Sequence, residues 1–224
     1  GVFTIVASFT IPAIIALSLK RLLPYQHGLR VSGSDTPANG FSSLPLISVI
    51  VPARNEEAQL RNGLATLLKS TGVEFEIIAV DDRSTDATGR IMDEMALTDS
   101  RLKVIHVTQL PEGWLGKNHA MHIASQRATG ELLLFTDGDI LYEPCAIETA
   151  VRHFRDQKLQ HLCLLPRMLP GSAFENAVVT FFGLAFAVGM QVHLIKTRWP
   201  LSYAGVGAFN LVDAKFYRSV GGHT

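Results

Sequence analysis

The sequence has few cysteines and no excess of charge of either sign. Only Cys145 and Cys163 occur among 224 residues, and their spacing matches neither a disulfide framework nor a zinc site, which favours buried free thiols in a reducing compartment. The 20 basic residues balance the 20 acidic ones, so the overall charge gives no reason to expect nucleic acid as a partner. The length is sufficient for one large α/β domain with its own core.

Glycine-rich phosphate-binding motifs are missing as well. No Gly-x-Gly-x-x-Gly fingerprint follows the first strand pattern, and the sequence contains no Walker A loop. Both motifs cradle phosphates at the start of a helix. Their absence argues against a dinucleotide-dependent dehydrogenase and against a P-loop enzyme.

The first part of the chain is apolar and uncharged. Residues 2–19 are about as long as the shortest helix that crosses a bilayer, and Lys20 and Arg21 follow directly. Because basic residues favour the cytoplasmic side, the pattern predicts a single transmembrane anchor over residues 1–23, with the rest of the protein cytoplasmic at the cell membrane. A buried helix of a soluble protein is the alternative. Residues 24–45, which end in a stretch rich in Ser, Gly, Pro and Asn, are predicted to be a linker.

Residues 46–224 alternate short apolar strand patterns with amphipathic helix patterns. This alternation predicts an α/β fold with an open, mostly parallel sheet and helices on both faces. Because the chain begins without methionine and stops at Thr224, we expect a piece of a longer protein whose domain is cut short at its carboxyl end. The predicted strands are residues 46–51, 76–80, 102–107, 132–135 and 161–165.

A second apolar segment lies within residues 173–195. Residues 177–190 are uncharged and mostly apolar, but this stretch is too short to cross a bilayer comfortably. An interfacial helix, a re-entrant segment and a helix buried in the core all fit this length. Next to a predicted membrane anchor, we interpret the segment as one that holds the domain against the membrane surface.

Acidic or polar side chains follow three of the predicted strands, in residues 52–57, 81–86 and 137–139. Because the carboxyl ends of parallel strands share one edge of a sheet, we expect these loops to converge on a ligand. A carboxylate from the second loop suits the N–H of a nucleobase or the hydroxyls of a ribose.

The Asp-Gly-Asp loop is the centre of this predicted site. Asp137 and Asp139 offer hard oxygen ligands, which suit Mg²⁺ or Mn²⁺ completed by waters and substrate phosphates. Gly138 allows a sharp turn and a close approach of the ligand. Lys117, at the start of a predicted helix, would add positive charge and helix N–H groups toward the same phosphates. Alone, Asp-Gly-Asp is more simply interpreted as a solvated turn; the two neighbouring loops favour a metal-assisted diphosphate site.

The three acidic loops belong to longer recognisable segments, namely residues 49–57 (VIVPARNEE), 80–88 (VDDRSTDAT) and 136–139 (TDGD). These segments resemble the family 2 glycosyltransferases of the GT-A fold. Residues 111–117 (PEGWLGK) are similar to a membrane-bound subgroup that contains hopene-associated glycosyltransferases and ceramide glucosyltransferase. Residues 207–212, followed by Gly221 and Gly222, resemble the acceptor-side strand and helix of the family.

The resemblance implies transfer of a sugar from a nucleotide-diphosphate donor, expected to be a UDP-sugar, to a lipid or lipid-linked acceptor with inversion of the anomeric centre. On this basis Asp81 or Asp82 would contact the uracil and ribose of the donor. Pro52, Arg54 and Glu56 would line the base pocket.

The resemblance also implies roles at the diphosphate. Asp139 would coordinate Mg²⁺ or Mn²⁺, Asp137 would reach the metal or the ribose, and Lys117 would contact the diphosphate or the sugar. The family's general base follows the Gly-Gly pair, so it is expected beyond Thr224 and no catalytic base is assigned within this sequence.

Two other classes of protein also fit these sequence features. A nucleotidyltransferase would share the sheet architecture and the metal site, but it would require a Gly-rich, Arg-containing loop where this chain has Pro52 to Glu56. A non-catalytic binding or scaffold protein could keep the same fold.

Overall fold

A computed structural model describes residues 44–167, 172–189 and 207–223. Strands and helices alternate along them, as predicted. The elements are β1 Ile47–Ala53, α1 Leu60–Leu68, β2 Phe75–Asp82, α2 Thr88–Ala96, β3 Leu102–Val107, α3 Gly116–Arg127, β4 Leu132–Phe135, α4 Ala146–Asp156, β5 His161–Cys163, α5 Ala173–Gly189, β6 Asn210–Asp213 and α6 Ala214–Ser219.

The chain divides into two compact units. One unit, Val31–Pro166 with Val206–Thr224, holds all six of these strands and every helix except α5. The other unit includes Arg167–Gly205, of which the structure describes α5 and its immediate flanks. The candidate site belongs to the sheet unit.

The six strands form one sheet in the order β3-β2-β1-β4-β6-β5. β1 pairs in parallel with both β2 and β4, and β2 pairs in parallel with β3. This confirms the predicted α/β sheet and its parallel centre. The sheet is nevertheless mixed, because β6 runs antiparallel to both β4 and β5.

β1 is the central strand and continues through a proline, although the sequence predicted that it would end there. Its pairing with β4 stops where Ile50 lies opposite Phe135, whereas its pairing with β2 continues, with Pro52 opposite Val80. Proline lacks a backbone N–H and is tolerated in a strand only where no neighbouring strand needs a hydrogen bond from that position. The short neighbouring strand β4 therefore allows β1 to extend through Pro52.

Helices cover both faces of the sheet, as predicted. On one face, α1, α2 and α4 pack on alternate β1 residues such as Val49 and Val51, and this core includes Leu64, Met92 and Ile147. On the other face, α3 and α6 pack on the opposite alternation, which includes Ile50, Leu133 and Tyr217. Since both faces are covered, every residue of β1 is buried.

A buried carboxylate joins three strands at the amino-terminal edge of the sheet. The Glu76 side chain at the start of β2 accepts hydrogen bonds from Ser48 Oγ on β1 at 2.6 Å and from Lys103 Nζ on β3 at 2.6 Å. It also accepts from the backbone N and the hydroxyl of Thr129 in the turn before β4, at 2.8 and 2.7 Å. These hydrogen bonds stabilise the alignment of the strands at this edge. The candidate site lies at the opposite ends of the same strands.

Two helices begin one turn after the polar or proline-containing segments that precede them. α1 begins at Leu60, so Glu56 and Glu57 lie in the loop between β1 and α1. α4 begins at Ala146, with Cys145 as the capping residue, so Pro144 lies in the turn before this helix.

The predicted membrane anchor, and all but the last two residues of the predicted linker, lie in residues 1–43 and therefore outside the described residues. Within the three described ranges, none of the helices combines the length and the apolarity that crossing a membrane requires. The apolar segment predicted within residues 173–195 contains α5, a helix that ends at Gly189. Its aromatic side chains at Phe174, Phe181 and Phe182 are exposed.

Candidate functional site

The loops after β1 and β2 are bound to each other at the carboxyl edge of the sheet. The backbone N of Asn55 donates to Ser84 Oγ at 3.1 Å, and the backbone N of Thr85 donates to Asn55 Oδ1 at 2.8 Å. The backbone N of Glu56 donates to Thr88 Oγ1 at 2.8 Å. The predicted convergence of these two loops is therefore present.

Two acidic side chains of these loops stabilise the loops themselves. The backbone N of Glu57 donates to Asp86 Oδ2 at 3.2 Å, and in return the backbone N of Ala87 donates to Glu57 Oε2 at 2.8 Å. Asp86 Oδ1 also accepts from the backbone N of Thr88 at 2.9 Å. Because these carboxylates satisfy backbone donors, they fix the loops that carry the remaining acids.

Asp81 and Asp82 face opposite sides of the sheet, as consecutive strand residues do. Asp81 lies on the side of α2, where its carboxylate accepts from the backbone N of Ser84 at 3.2 Å and contacts His106 Nδ1 at 3.0 Å. Asp82 lies toward the start of α3 and is 4% exposed. Its two oxygens accept from Arg83 Nε at 2.8 Å and Nη2 at 3.1 Å.

Two glycines allow helices to approach these aspartates closely. A Cβ placed on Gly89 in α2 would lie 2.5 Å from Asp81 Oδ2. A Cβ placed on Gly116, the first residue of α3, would lie 2.3 Å from Asp82 Oδ2. Such separations are shorter than any carbon–oxygen contact can be, so glycine at these positions lets the helix starts lie against the carboxylates.

Glu56 lies against the Asp-Gly-Asp loop. A Cβ placed on Gly138 would lie 2.6 Å from Glu56 Oε2, and that oxygen is buried and has no hydrogen-bond partner among the described residues. Burial raises the pKa of Glu56, and the charges of Asp139 and Asp137 raise this pKa further. The family resemblance implied a place for Glu56 in the base pocket; in the structure its carboxyl group lies beside the predicted metal ligands.

Lys117 is the positive charge of the site. It is the second residue of α3, and its Nζ forms an ion pair with Asp137 Oδ1. A Cβ placed on Gly207 would lie 2.9 Å from Lys117 Nζ and 3.1 Å from Asp137 Oδ2, so the chain before β6 passes close to this pair. Lys117 also opposes the rise in the Glu56 pKa.

The other two predicted base-pocket residues differ in their exposure. Pro52 is buried within β1, whereas Arg54 is exposed at the start of the loop after this strand. The structure therefore brings Glu56, Lys117, Asp137 and Asp139 together and places the remaining predicted residues on adjacent strand ends.

A hydroxyl chain that sequence analysis missed holds the Asp-Gly-Asp loop in place. Tyr142 Oη donates to Thr136 Oγ1 at 2.7 Å, and Thr136 Oγ1 donates to the backbone O of Ala208 at 2.8 Å. Burial raises the pKa of Tyr142, so this hydroxyl remains a donor. The only signal in the sequence was the position of Thr136 directly before Asp137.

The chemistry of the carboxylates fits a divalent cation that is shared with a ligand. Within residues 44–167, 172–189 and 207–223, no three His, Cys, Asp or Glu side chains are grouped as a metal cage. Mg²⁺ and Mn²⁺ sites of nucleotide-dependent enzymes instead use one or two carboxylates and complete the shell with phosphates and water. The pair Asp137 and Asp139, beside the buried Oε2 of Glu56, matches that donor set.

The fold and this edge define a class: α/β proteins that bind a ligand where acidic loops follow parallel strands. The family model "Glycosyl transferase family 2" matches residues 48–208. The chain therefore belongs to glycosyl transferase family 2, and the resemblance found in the sequence is confirmed.

Among curated proteins, the chain is similar to 4,4'-diaponeurosporenoate glycosyltransferase from Staphylococcus aureus. The two are 26% identical over 179 residues, which is 79% of this chain and 46% of that protein. The chain thus spans about half the length of the curated relatives it matches.

Solved structures share the fold. A mannosyltransferase from Pyrobaculum calidifontis in complex with GDP-Man and Mn²⁺ has a TM-score of 0.59 at 21% identity, covering 94% of this chain and 57% of that one. Glucosyl-3-phosphoglycerate synthase from Mycobacterium tuberculosis, in complex with Mn²⁺ and UDP-glucose, has a TM-score of 0.55 at 18% identity, covering 81% of this chain and 64% of that one.

Proposed function

We propose that this chain is the donor-binding part of an inverting glycosyltransferase that moves a sugar from a nucleotide-diphosphate donor, a UDP-sugar, to a lipid or lipid-linked acceptor. One observation carries the proposal: Glu56, Lys117, Asp137 and Asp139 meet at the edge where β1 and β4 end. A nucleoside diphosphate needs both a cation-binding carboxylate pair and a fixed positive charge, and this edge supplies both.

The base and ribose would lie toward the end of β2. Asp81 is the carboxylate of this motif that suits a base N–H or a ribose hydroxyl. Among the described residues each of its oxygens has one hydrogen-bonding neighbour, the Ser84 backbone N at Oδ1 and His106 Nδ1 at Oδ2. Asp82 is buried and both of its oxygens accept from Arg83, one from Nε and one from Nη2, so it would act on the ligand through the loop it stabilises. Pro52 and Arg54 would border the base from the end of β1.

The diphosphate would lie between Lys117 and the Asp-Gly-Asp loop. Lys117 would exchange its contact with Asp137 for a phosphate oxygen, and the first N–H groups of α3 would add donors for the same anion. Asp137 and Asp139 would hold Mg²⁺ or Mn²⁺. When bound, this ion neutralises the charge that develops on the departing diphosphate.

A lipid acceptor is supported by the similarity to 4,4'-diaponeurosporenoate glycosyltransferase. A helix with exposed Phe174, Phe181 and Phe182 suits the interface between lipid head groups and acyl chains. Together with the uncharged residues 2–19, it supports our proposal of a cell-membrane enzyme with its site facing the cytoplasm.

Ligand-linked stabilisation tests the donor. The thermal midpoint of the 224-residue chain is measured with UDP-, GDP- and CDP-sugars, each with Mn²⁺ and without it. The true donor should raise the midpoint only when the metal is present, by an amount that grows with its concentration over Kd. No shift with any nucleotide sugar at millimolar Mn²⁺ would contradict the proposal and favour a scaffold role.

Asp139→Asn tests the metal site. The variant keeps the size of the side chain and removes its charge, and we expect it to lose the Mn²⁺-dependent part of UDP binding in calorimetry. Asp156→Asn is the matched control, because Asp156 is an exposed aspartate at the end of α4, away from the carboxyl edge. Equal Mn²⁺-dependent binding by both variants would exclude Asp139 as a metal ligand.

A further inference from the structure

His106 bridges two carboxylates on different elements. It lies on β3 directly opposite Asp81 of β2 in the parallel register, and its Nδ1 is 3.0 Å from Asp81 Oδ2. Its Nε2 is 3.0 Å from Asp93 Oδ1 on α2. The ring therefore links the edge of the candidate site to the outer surface of the molecule.

The two carboxylates differ in their access to water. The Asp81 side chain is 13% exposed, whereas that of Asp93 is 57% exposed. An unpaired acceptor costs more free energy where water cannot replace the lost donor. A neutral His106 therefore keeps its proton on Nδ1, toward Asp81, and loses the contact with Asp93 instead.

Every described charge that faces the ring is negative. Asp81 comes from β2 and Asp93 from α2. The positive residue of α2, Arg90, pairs with Glu94. The hydrogen bond from His106 to Asp81 raises the pKa of the ring, and the contact with Asp93 raises it further. The donor at Nδ1 is thus maintained in both charge states.

We propose that His106 is a positioning residue for nucleotide recognition: it fixes the Asp81 carboxylate in the orientation that receives the donor's base or ribose. The inference rests on the proposed function, since it assigns a task to the Asp81 site. The Asp81 carboxylate is held at one oxygen by the Ser84 backbone N and at the other by His106 Nδ1. On the α2 side the helix backbone at Gly89 lies so close to the carboxylate that not even a Cβ would fit between them. The two donors therefore set the rotation of the carboxylate.

Two amide variants separate the two ends of the ring. In His106→Asn the side-chain amide takes the place of Nδ1 and keeps a donor for Asp81. In His106→Gln the amide takes the place of Nε2 and keeps a donor for Asp93 only. Both variants are neutral and similar in polarity, so a general effect of removing the imidazole appears in both.

The experiment uses two probes with the 224-residue chain at millimolar Mn²⁺. UDP reports the whole nucleotide site, and inorganic pyrophosphate reports the metal and phosphate part alone. We expect His106→Gln to weaken UDP binding roughly tenfold while pyrophosphate binding stays unchanged, as suits the loss of one donor to a charged acceptor. His106→Asn should retain affinity for UDP within about threefold of the wild type, and Asp93→Asn should do the same.

Each other result overturns one specific step. If the wild type binds UDP but His106→Gln binds it equally well, or if UDP and pyrophosphate weaken together, His106 is not a positioning residue. The same conclusion holds if His106→Asn is as weak as His106→Gln. If the wild type binds neither probe, the proposed function itself is wrong, and the two failures are thereby distinguished.

Discussion

The buried carboxylate of Glu76 offers a quantitative test of how the sheet is stabilised. Burial by itself would raise the pKa of Glu76, but the hydrogen bonds from Lys103, Ser48 and Thr129 prevail and lower it from 4.5 to about 2. By linkage, such a pKa change corresponds to roughly 3 kcal/mol of stability. Because the Lys103 side chain is 55% exposed and its charge is screened by water, we expect about 2 kcal/mol.

The direction of the pH dependence follows from the depressed pKa. The ionised form is favoured in the folded state, so the stabilisation is fully present above pH 4.5 and is lost as the pH falls from 4.5 toward 2. Glu76→Gln removes this titration. We expect the variant to be less stable than the wild type by about 2 kcal/mol at pH 7 and to approach it near pH 2.

The assay is urea unfolding of the 224-residue chain in mild detergent, followed by circular dichroism at a series of pH values. Glu74→Gln is the matched control, since Glu74 is an exposed glutamate two residues away and its replacement should change the free energy of unfolding by less than about 0.5 kcal/mol. Parallel stability curves for the wild type and Glu76→Gln between pH 2 and pH 7 would refute this account of the network.

Two further substitutions test close contacts at the site and at the last helix. In Gly63→Ala on α1, the new Cβ would lie 2.1 Å from the backbone O of Gly138, so we expect a loss of about 3 kcal/mol in unfolding free energy and weaker UDP binding. Gly183→Ala on α5 is the control, because a Cβ there meets no atom of the described residues within 4 Å and should not destabilise the chain. Asp213→Ala removes the side chain that accepts from the backbone N of Phe216 at 2.7 Å and caps α6, which should cost about 1 kcal/mol in the same assay. A stable Gly63→Ala variant would show that the Asp-Gly-Asp loop can move away from α1, and an unchanged Asp213→Ala variant would show that the cap is replaced by water.

Much of the architecture could be predicted because it depends on local pattern. The apolar run of residues 132–135 matches β4, since a strand covered on both faces needs continuous apolar residues. Alternation of strand and helix fixed the parallel centre of the sheet. The antiparallel direction of β6 could not be predicted from this alternation. The direction of a strand depends on the connection that precedes it, and this connection has no local sequence signature.

The candidate site likewise contains residues that local pattern predicts and contacts that only tertiary packing sets. The sequence by itself determined which acids lie at the carboxyl ends of strands, because position along the chain decides the edge at which a loop emerges. Asp81 and Asp82 are the last residues of β2, and Asp137 and Asp139 follow β4. Only the tertiary structure decided that Glu56 lies beside Gly138 and that His106 holds Asp81. Those contacts join residues that are 82 and 25 positions apart, and such neighbours are set by packing and strand register, which no local pattern records.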